Sequence, residues 1–504
     1  METQNKLTPQ NLDYIRSIDS DRWLFHADVL VDKAHVVMLE ERDIVSREQS
    51  RDILNGLIAI EQRGAAEFIE QELLAHAHAY DDVHTAIESV LIRELGEGTG
   101  GRMHTGRSRN DEVATCIRIA LRDDLIELMK DVNELRSVVI EKATEHVDTV
   151  MPGYTHLQHA QPTTLAHHLS AYSDAFARDF TRLVTVYERT NVSPLGAAAF
   201  ASTGFPLDRA GTAKLLGFDS VMSNSMDAVS TRDFVIEAIA CFANLMTNLS
   251  RLAEEIILWS TVEFDFVRVP EDYITGSSIM PQKRNPDFAE LVRSRTGTVY
   301  GCLMSALSIC KALPHAYNRD LQEVTAHLLK ATKTTAASVS VMNRIVAGLE
   351  PKKEEMEKKT LVGFTTATEL ADTIVRATGI SFRTAHKIVS SLAPVLTHKE
   401  IHELESGGDI LRRIDALAVD VTGKKLSELG LTEENVKEAM DVRSNIEKRN
   451  VYGGPAKEQV RKTIETRTRD LNRDENLIEA KGEGVKRSLE ELERRIAELH
   501  SENY

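Results

Sequence analysis

Between residues 231 and 262 the apolar positions step alternately by four and three: Val235, Ile239, Phe242, Met246, Leu249, Ala253 and Ile256. A second seam, Ala238, Leu245, Leu252 and Trp259, recurs every seven residues along the same stretch. Both are helical periods, and two seams on one rod predict burial against several neighbouring helices. At about 1.5 Å per residue the rod should be roughly 48 Å long. Comparable rods fit residues 111–147, the stretch after Pro162, residues 286–313 and residues 319–349. Such a bundle is longer than one subunit's core requires, so oligomerisation is expected.

Outside the bundle the pattern shortens. The first hundred residues read as short helices broken by turns, and after Glu350 a lysine/glutamate-rich spacer leads into further short helices. The expected fold is all-α. An N-terminal helical domain spans 1–110, a long-helix bundle 111–350 and a small C-terminal helical domain 351–460, followed by a charged tail over 461–504. In the tail Ile464, Leu471, Ile478, Val485, Leu492 and Leu499 recur every seven residues, and Leu489 and Ile496 add a second seam among mostly charged neighbours. Gly482 and Gly484 are expected to break this helix, leaving a terminal piece of about two heptads packed on its own subunit or a neighbour. A frayed charged tail is the alternative.

Composition narrows the partners. The chain has 504 residues, 42% hydrophobic and 28% charged, enough apolar material for an ordinary soluble core and a length that suggests roughly three domains. A net charge of -17 argues against nucleic acid or an anionic membrane as the main partner. No apolar run reaches bilayer-spanning length, and the first ten residues lack an apolar signal core. Cys116, Cys241, Cys302 and Cys310 fall in helical patterns with no paired metal spacing, as expected of reduced thiols in a cytoplasmic protein. His76, His78 and His84 are close together, but ligands at i and i+2 do not share a helix face and no second cluster completes a site. No metal and no cofactor is expected.

Candidate chemistry concentrates at three irregular stretches. TGSSIMPQKRNPD (275–287) lies between two rods, and Gly276, Pro281 and Pro286 shape a loop carrying Ser277, Ser278, Lys283 and Asn285. For any three of these residues alone, a Ser-rich surface turn is the simpler reading. TGGRMHTGRSRNDE (99–112) puts three glycines and three arginines ahead of a helix, which suits carboxylate binding. PGYTHLQHAQP (152–162) sets His156 between two prolines joining long helices, where an imidazole can move protons near neutral pH. Alone, His156 reads as a structural histidine, and Ser17 as a helix cap.

These stretches together resemble the fumarase/aspartase superfamily, whose members eliminate a group from a succinyl unit and release fumarate. PQK (281–283) and HTGRSRND (104–111) look like its argininosuccinate lyase branch, and GFTTATELAD (363–372) and GGPA (453–456) resemble landmarks of that branch's small C-terminal domain. The resemblance runs from about Ser17 to Ala456. It implies cleavage of argininosuccinate to arginine and fumarate, without metal or cofactor, in a homotetramer whose sites are shared between subunits. Ser277 is then the base, with Lys283 stabilising it, His156 in acid chemistry and Glu290 its carboxylate partner. Ser17, His84, Arg109, Asn110, Thr155, Asn285, Tyr317 and Gln322 match substrate-contacting positions. The chain departs from the pattern at five places, one of them the Gly/Ala/Pro connector 191–209, which looks like that of the lyases although Ala and Ser replace some of the usual glycines. The glycine-rich opening before Ser17 is missing, Thr231 stands where Asp is common, Pro455 replaces Thr, and Thr325 replaces a substrate-contacting lysine that Lys330 could supply from a later turn. Two rival readings are another fumarate-releasing lyase, such as one acting on adenylosuccinate, and an inactive structural homologue.

Overall fold

The computed structural model describes residues 9–75, 80–396 and 407–501; His76 and His78 lie outside them. The architecture is all-α. Five long helices make the bundle: α4 (Arg109–Glu145), α5 (Leu165–Thr190), α6 (Asp233–Trp259), α7 (Asp287–Cys310) and α8 (Leu321–Ala347). They follow α1 (Ile18–Glu41), α2 (Arg47–Phe68) and α3 (Val83–Leu95). All eleven seam residues predicted on α6 are buried, which is why this helix packs on α5, α7 and α8 at once. With 27 residues it is about 40 Å long, two residues shorter at its start and three at its end than the apolar pattern suggests.

The N-terminal segment does not consist of short helices alone, such as Pro9–Ile15 and Glu97–Gly100. α1 runs 24 residues and α2 22. α1 was illegible because it is buried nearly all round: Asp28, Asp32, Lys33 and His35 interrupt its apolar pattern yet are as buried as Val29, Val36 and Leu39. The two carboxylates and Lys33 are paired inside the protein and His35 bonds the Thr105 carbonyl, so none of them marks a solvated face.

A second, separate core lies in the region after the bundle. Ile374, Ile388, Leu392, Ile414 and Val436 pack together there, carried by α9 (Ala367–Thr378), α10 (Phe382–Leu396), α11 (Gly407–Thr422) and α12 (Glu433–Met440).

The chain then returns to the main core. α13 (Lys457–Ser501) is one continuous 45-residue helix, and Gly482 and Gly484 do not break it. A Cβ added to either glycine meets no atom within 4 Å, so solvent-side space surrounds them. Their helix-breaking tendency, about 1 kcal/mol each, is outweighed because packing on both sides fixes the helix. Val460, Ile464, Leu471, Ile478, Leu492, Ile496 and Leu499 are buried in the main core of the same chain. Arg136 of α4 donates to Asp474 at 2.8 Å, and Lys33 of α1 pairs with Glu493 at 3.1 Å. The seam therefore packs on its own subunit, along nearly its whole length.

Candidate active site

Three separate parts of the surface carry the candidate residues. The first is a small cavity of about 130 Å³ near the start of α1. Ser17, His84, Arg109, Asn110, Tyr317 and Gln322, all singled out from the sequence, line it together. Ser17 occupies the N-cap position of α1, but its side chain makes no cap bond. It donates instead to Asp21 at 2.9 Å, one turn on. Asp21 also accepts the Val83 N–H at 3.1 Å, and burial pushes its carboxyl up to about 6.

His84 is buried, with Nδ1 2.8 Å from Asp28. Burial opposes its charge, but the Asp28 carboxylate more than compensates and raises the imidazole to about 10. His84 is thus an imidazolium at working pH, held in the cavity wall from behind. Gln322 donates to the Ile15 carbonyl at 2.9 Å, and Asn110 to the Ala199 carbonyl at 3.0 Å.

The glycine/arginine stretch places its residues less simply than its composition suggests. Gly106 takes a positive φ of 78° that lets the chain turn into α4, where Ser108 and Asp111 form a capping box. Asp111 also accepts the N–H groups of Gly196 and Ala198, tying the 191–209 connector to the helix start. Of the three arginines, only Arg109 lines the cavity, paired with Asp82 at 3.2 Å. Arg107 is buried against Asp32 and Glu112, and Arg102 donates to the Gly98 carbonyl at the surface. The expectation that all three suit carboxylate binding is corrected: Arg107 is already committed to carboxylates of its own chain. Thr325 is buried and lines the cavity, whereas Lys330 is exposed and not part of the lining.

The second part is a β-hairpin, not the open loop expected between the prolines. Strands β1 (Val150–Thr155) and β2 (Gln158–Thr164) pair antiparallel, with Thr155 opposite Gln158. The two turn residues, His156 and Leu157, have φ of 56° and 57°. Two positive φ values at a hairpin tip match a type I′ turn, whose central positions Asn and Gly normally take. A histidine and a leucine held there are strained, of order 1–3 kcal/mol each. The hairpin thus presents His156 and Thr155 outward, beside a wide cleft of about 880 Å³.

The third part is the 275–287 loop. Thr275 and Gly276 pair antiparallel with Asn285 and Arg284, making a short flap anchored by Thr275 donating to Asp287. Gly276 has no positive φ here, and a Cβ on it would meet open space, so the conformational freedom expected of it is not used. The Ser277 hydroxyl oxygen accepts the backbone N–H groups of Ile279 at 3.4 Å and Met280 at 3.1 Å. Such donors stabilise negative charge on that oxygen. Lys283 is exposed and its own N–H bonds the Met280 carbonyl at 3.0 Å. Glu290 lies on the first turn of α7, 3.9 Å from Arg293. Neither the small cavity nor the wide cleft is lined by Ser277, Lys283, Asn285 or Glu290.

Sequence reasoning missed Arg232 and Arg319 as lining residues. Arg319 lies between Tyr317 and Gln322, both singled out from the sequence, and pairs with Asp81 at 3.3 Å. Arg232 follows the noted departure at Thr231, but nothing in a lone arginine signals that it is buried.

A family model described as "Lyase" matches residues 10–301, and one described as "Argininosuccinate lyase C-terminal" matches 364–447. Argininosuccinate lyase of Methanococcoides burtonii is 51% identical over 93% of this chain and 92% of its own length. That of Methanocaldococcus jannaschii is 43% identical over 95% of each. Among solved structures, an EDDS lyase in complex with formate superposes with a TM-score of 0.85 at 32% identity, covering 97% of this chain and 94% of that one. Class II fumarase from Schistosoma mansoni, at 16% identity and a TM-score of 0.66 over 84% of this chain and 90% of its own, shares the fold. With the lyase model covering most of the bundle and close relatives aligned nearly end to end, the chain belongs to the argininosuccinate lyase family.

Proposed function

We propose that this protein cleaves argininosuccinate by elimination, giving arginine and fumarate, as a step of arginine biosynthesis. The reaction removes a weakly acidic proton from the carbon beside a succinyl carboxylate. The electron pair spreads into that carboxylate as a dianionic aci form, then expels the guanidino nitrogen, which must leave protonated. A base, a donor-rich cradle for the new charge and an acid are needed.

The observation that carries this reading is the Ser277 hydroxyl, whose oxygen accepts two backbone N–H groups. A serine is a base only if its oxyanion is stabilised, and these donors act in that direction. Lys283 on the same flap adds positive charge when the loop closes over substrate. His156 serves the acid half of the reaction, with Glu290 as its carboxylate partner, and Asn285 and Thr155 hold the succinyl end.

The flap residues line neither the small cavity nor the cleft beside the hairpin, which supports a reading in which the complete site is assembled from several subunits of a homotetramer. Exposed apolar side chains support this. Leu157 at the hairpin tip is 67% exposed and Ile279 on the flap 82%, while Tyr300, Met304 and Leu307 leave an apolar face on α7. Among the described residues no helix is long and apolar enough to cross a membrane, which suits a cytoplasmic enzyme.

The test follows absorbance at the fumarate band with argininosuccinate and adenylosuccinate offered separately. Turnover of argininosuccinate alone is expected; turnover of adenylosuccinate instead, or of neither, overturns the proposal.

A further inference from the structure

The left-handed turn at His156 and Leu157 is costly, and its own side chains do little to hold it. Thr155, His156, Leu157 and Gln158 are all exposed, so packing does not fix the tip. The far end of the hairpin is held firmly: Val150, opposite Thr164, packs against Val442 and Ile446 of the C-terminal region. Among the described residues, the anchor nearest the tip is the pair next to it, Tyr154 opposite His159.

His159 uses both ring nitrogens there. Nδ1 lies 2.9 Å from the Val362 carbonyl, which can only accept, so Nδ1 carries the proton. Nε2 then accepts from the Tyr154 hydroxyl at 3.3 Å, and burial keeps that phenol protonated by pushing it up to about 12. The two rings also meet edge to face, with centroids 5.1 Å apart. Val362 stands just before Gly363 and Phe364, whose φ angles are 83° and 54°, and the Phe364 side chain is buried in the second core. A Cβ on Gly363 would come within 2.9 Å of His159 Nδ1, so the glycine lets this ring seat against the backbone.

We infer that His159 is a positioning residue, which fixes the direction of the His156 turn by tying the hairpin to the Val362 carbonyl. This rests on the lyase reading, in which His156 serves the acid half of the reaction. Two exposed left-handed residues relax toward ordinary backbone angles once the adjoining pair is free, and the His156 imidazole moves with them. A displacement of about 1 Å in a reacting group costs on the order of 100-fold in rate. Contacts made in the small cavity are untouched, because His159 does not line it.

The experiment follows steady-state fumarate release from argininosuccinate by the full-length protein, in ordinary and in heavy water. His159→Leu, which fills similar space without either bond, should lower kcat about 10- to 100-fold and change KM less than about threefold. Its solvent isotope effect on kcat should rise above the wild-type value, because protonation of the leaving nitrogen becomes the slow step. His159→Asn, whose amide can place an N–H where Nδ1 was, should recover most of kcat and restore the isotope effect. An unchanged kcat in His159→Leu, a loss carried by KM, an unmoved isotope effect or no rescue by asparagine overturns the assignment. A lower melting temperature with undiminished kcat per folded molecule would confine His159 to stability and overturns it too. If circular dichroism shows His159→Leu unfolded, His159→Gln decides. Its amide lies one bond farther out, so a kcat about tenfold below that of His159→Asn supports the inference and equal values overturn it. A wild type that does not turn argininosuccinate over sinks the lyase reading and this inference with it. Normal wild-type turnover with an undiminished His159→Leu sinks the inference alone.

Discussion

Ser277 Oγ accepts the Met280 N–H at 3.1 Å, so the hydroxyl proposed as base also pins the turn that carries it. Ser277→Ala is expected to lower fumarate formation at least about 100-fold, the scale of a lost general base. The oligomer and substrate binding should persist, because the loop is exposed and removing one oxygen disturbs no packing. Ser278→Ala should stay near the wild-type rate. The reverse ranking would move the base to Ser278.

Mixing inactive subunits tests whether sites are shared. Ser277→Ala and His156→Asn chains, each inactive, are co-refolded and assayed for fumarate release. Random reassembly should place an intact flap and an intact hairpin at some sites and restore part of the activity. Mixed oligomers without any gain would mean that each chain builds its site alone.

The two glycines of α13 yield a stability prediction. Gly482→Ala and Gly484→Ala each add a methyl where no atom lies within 4 Å, inside a helix. Each should raise stability by about 0.5–1 kcal/mol, since alanine removes backbone freedom from the unfolded chain. Leu492→Ala, at a fully buried position, should cost about 2–5 kcal/mol. Melting temperatures check both, and fumarate formation per folded molecule should not change in any of the three. A melting temperature untouched by Leu492→Ala would mean that the tail does not stay docked.

Acid sensitivity should trace in part to His35. Its Nε2 lies 2.8 Å from the Thr105 carbonyl, and burial, with Arg107 nearby, holds the imidazole down at about 3. Below about pH 6.5 the unfolded chain gains a proton there that the folded one refuses, so stability falls as pH drops. At pH 5 the loss from this one residue is about 2 kcal/mol. Denaturant midpoints of wild type and His35→Asn, compared at pH 7.5 and pH 5, should show the smaller drop in the variant. Equal drops would assign the acid sensitivity elsewhere.

Legibility in the sequence followed from how each element meets its surroundings. α6 could be read because both of its seams are purely apolar and every seam residue is buried. α1 could not, because Asp28, Asp32 and Lys33 interrupt the pattern and find partners only through distant segments, Arg107 and Glu61 among them. The motifs located Ser17, Asn110, Tyr317 and Gln322, and the structure gathers them at one cavity. Arg232 stayed hidden because solvent exclusion is a property of the folded chain. The left-handed turn at His156 was equally invisible, since nothing in its sequence resembles the Asn-Gly usual at such a tip.

The docking of α13 onto α1 also sets a timetable for biogenesis. Lys33 and Glu493 lie 460 positions apart, and His500 reaches back to Asn55. At the usual pace of synthesis, roughly 5–20 residues per second, about 20 to 90 seconds separate the emergence of these partners. During that interval the apolar groove that will receive Leu492, Ile496 and Leu499 stays open to the cell, a natural client surface for chaperones. A nascent chain truncated before α13 would carry every candidate site residue and still lack its clasp.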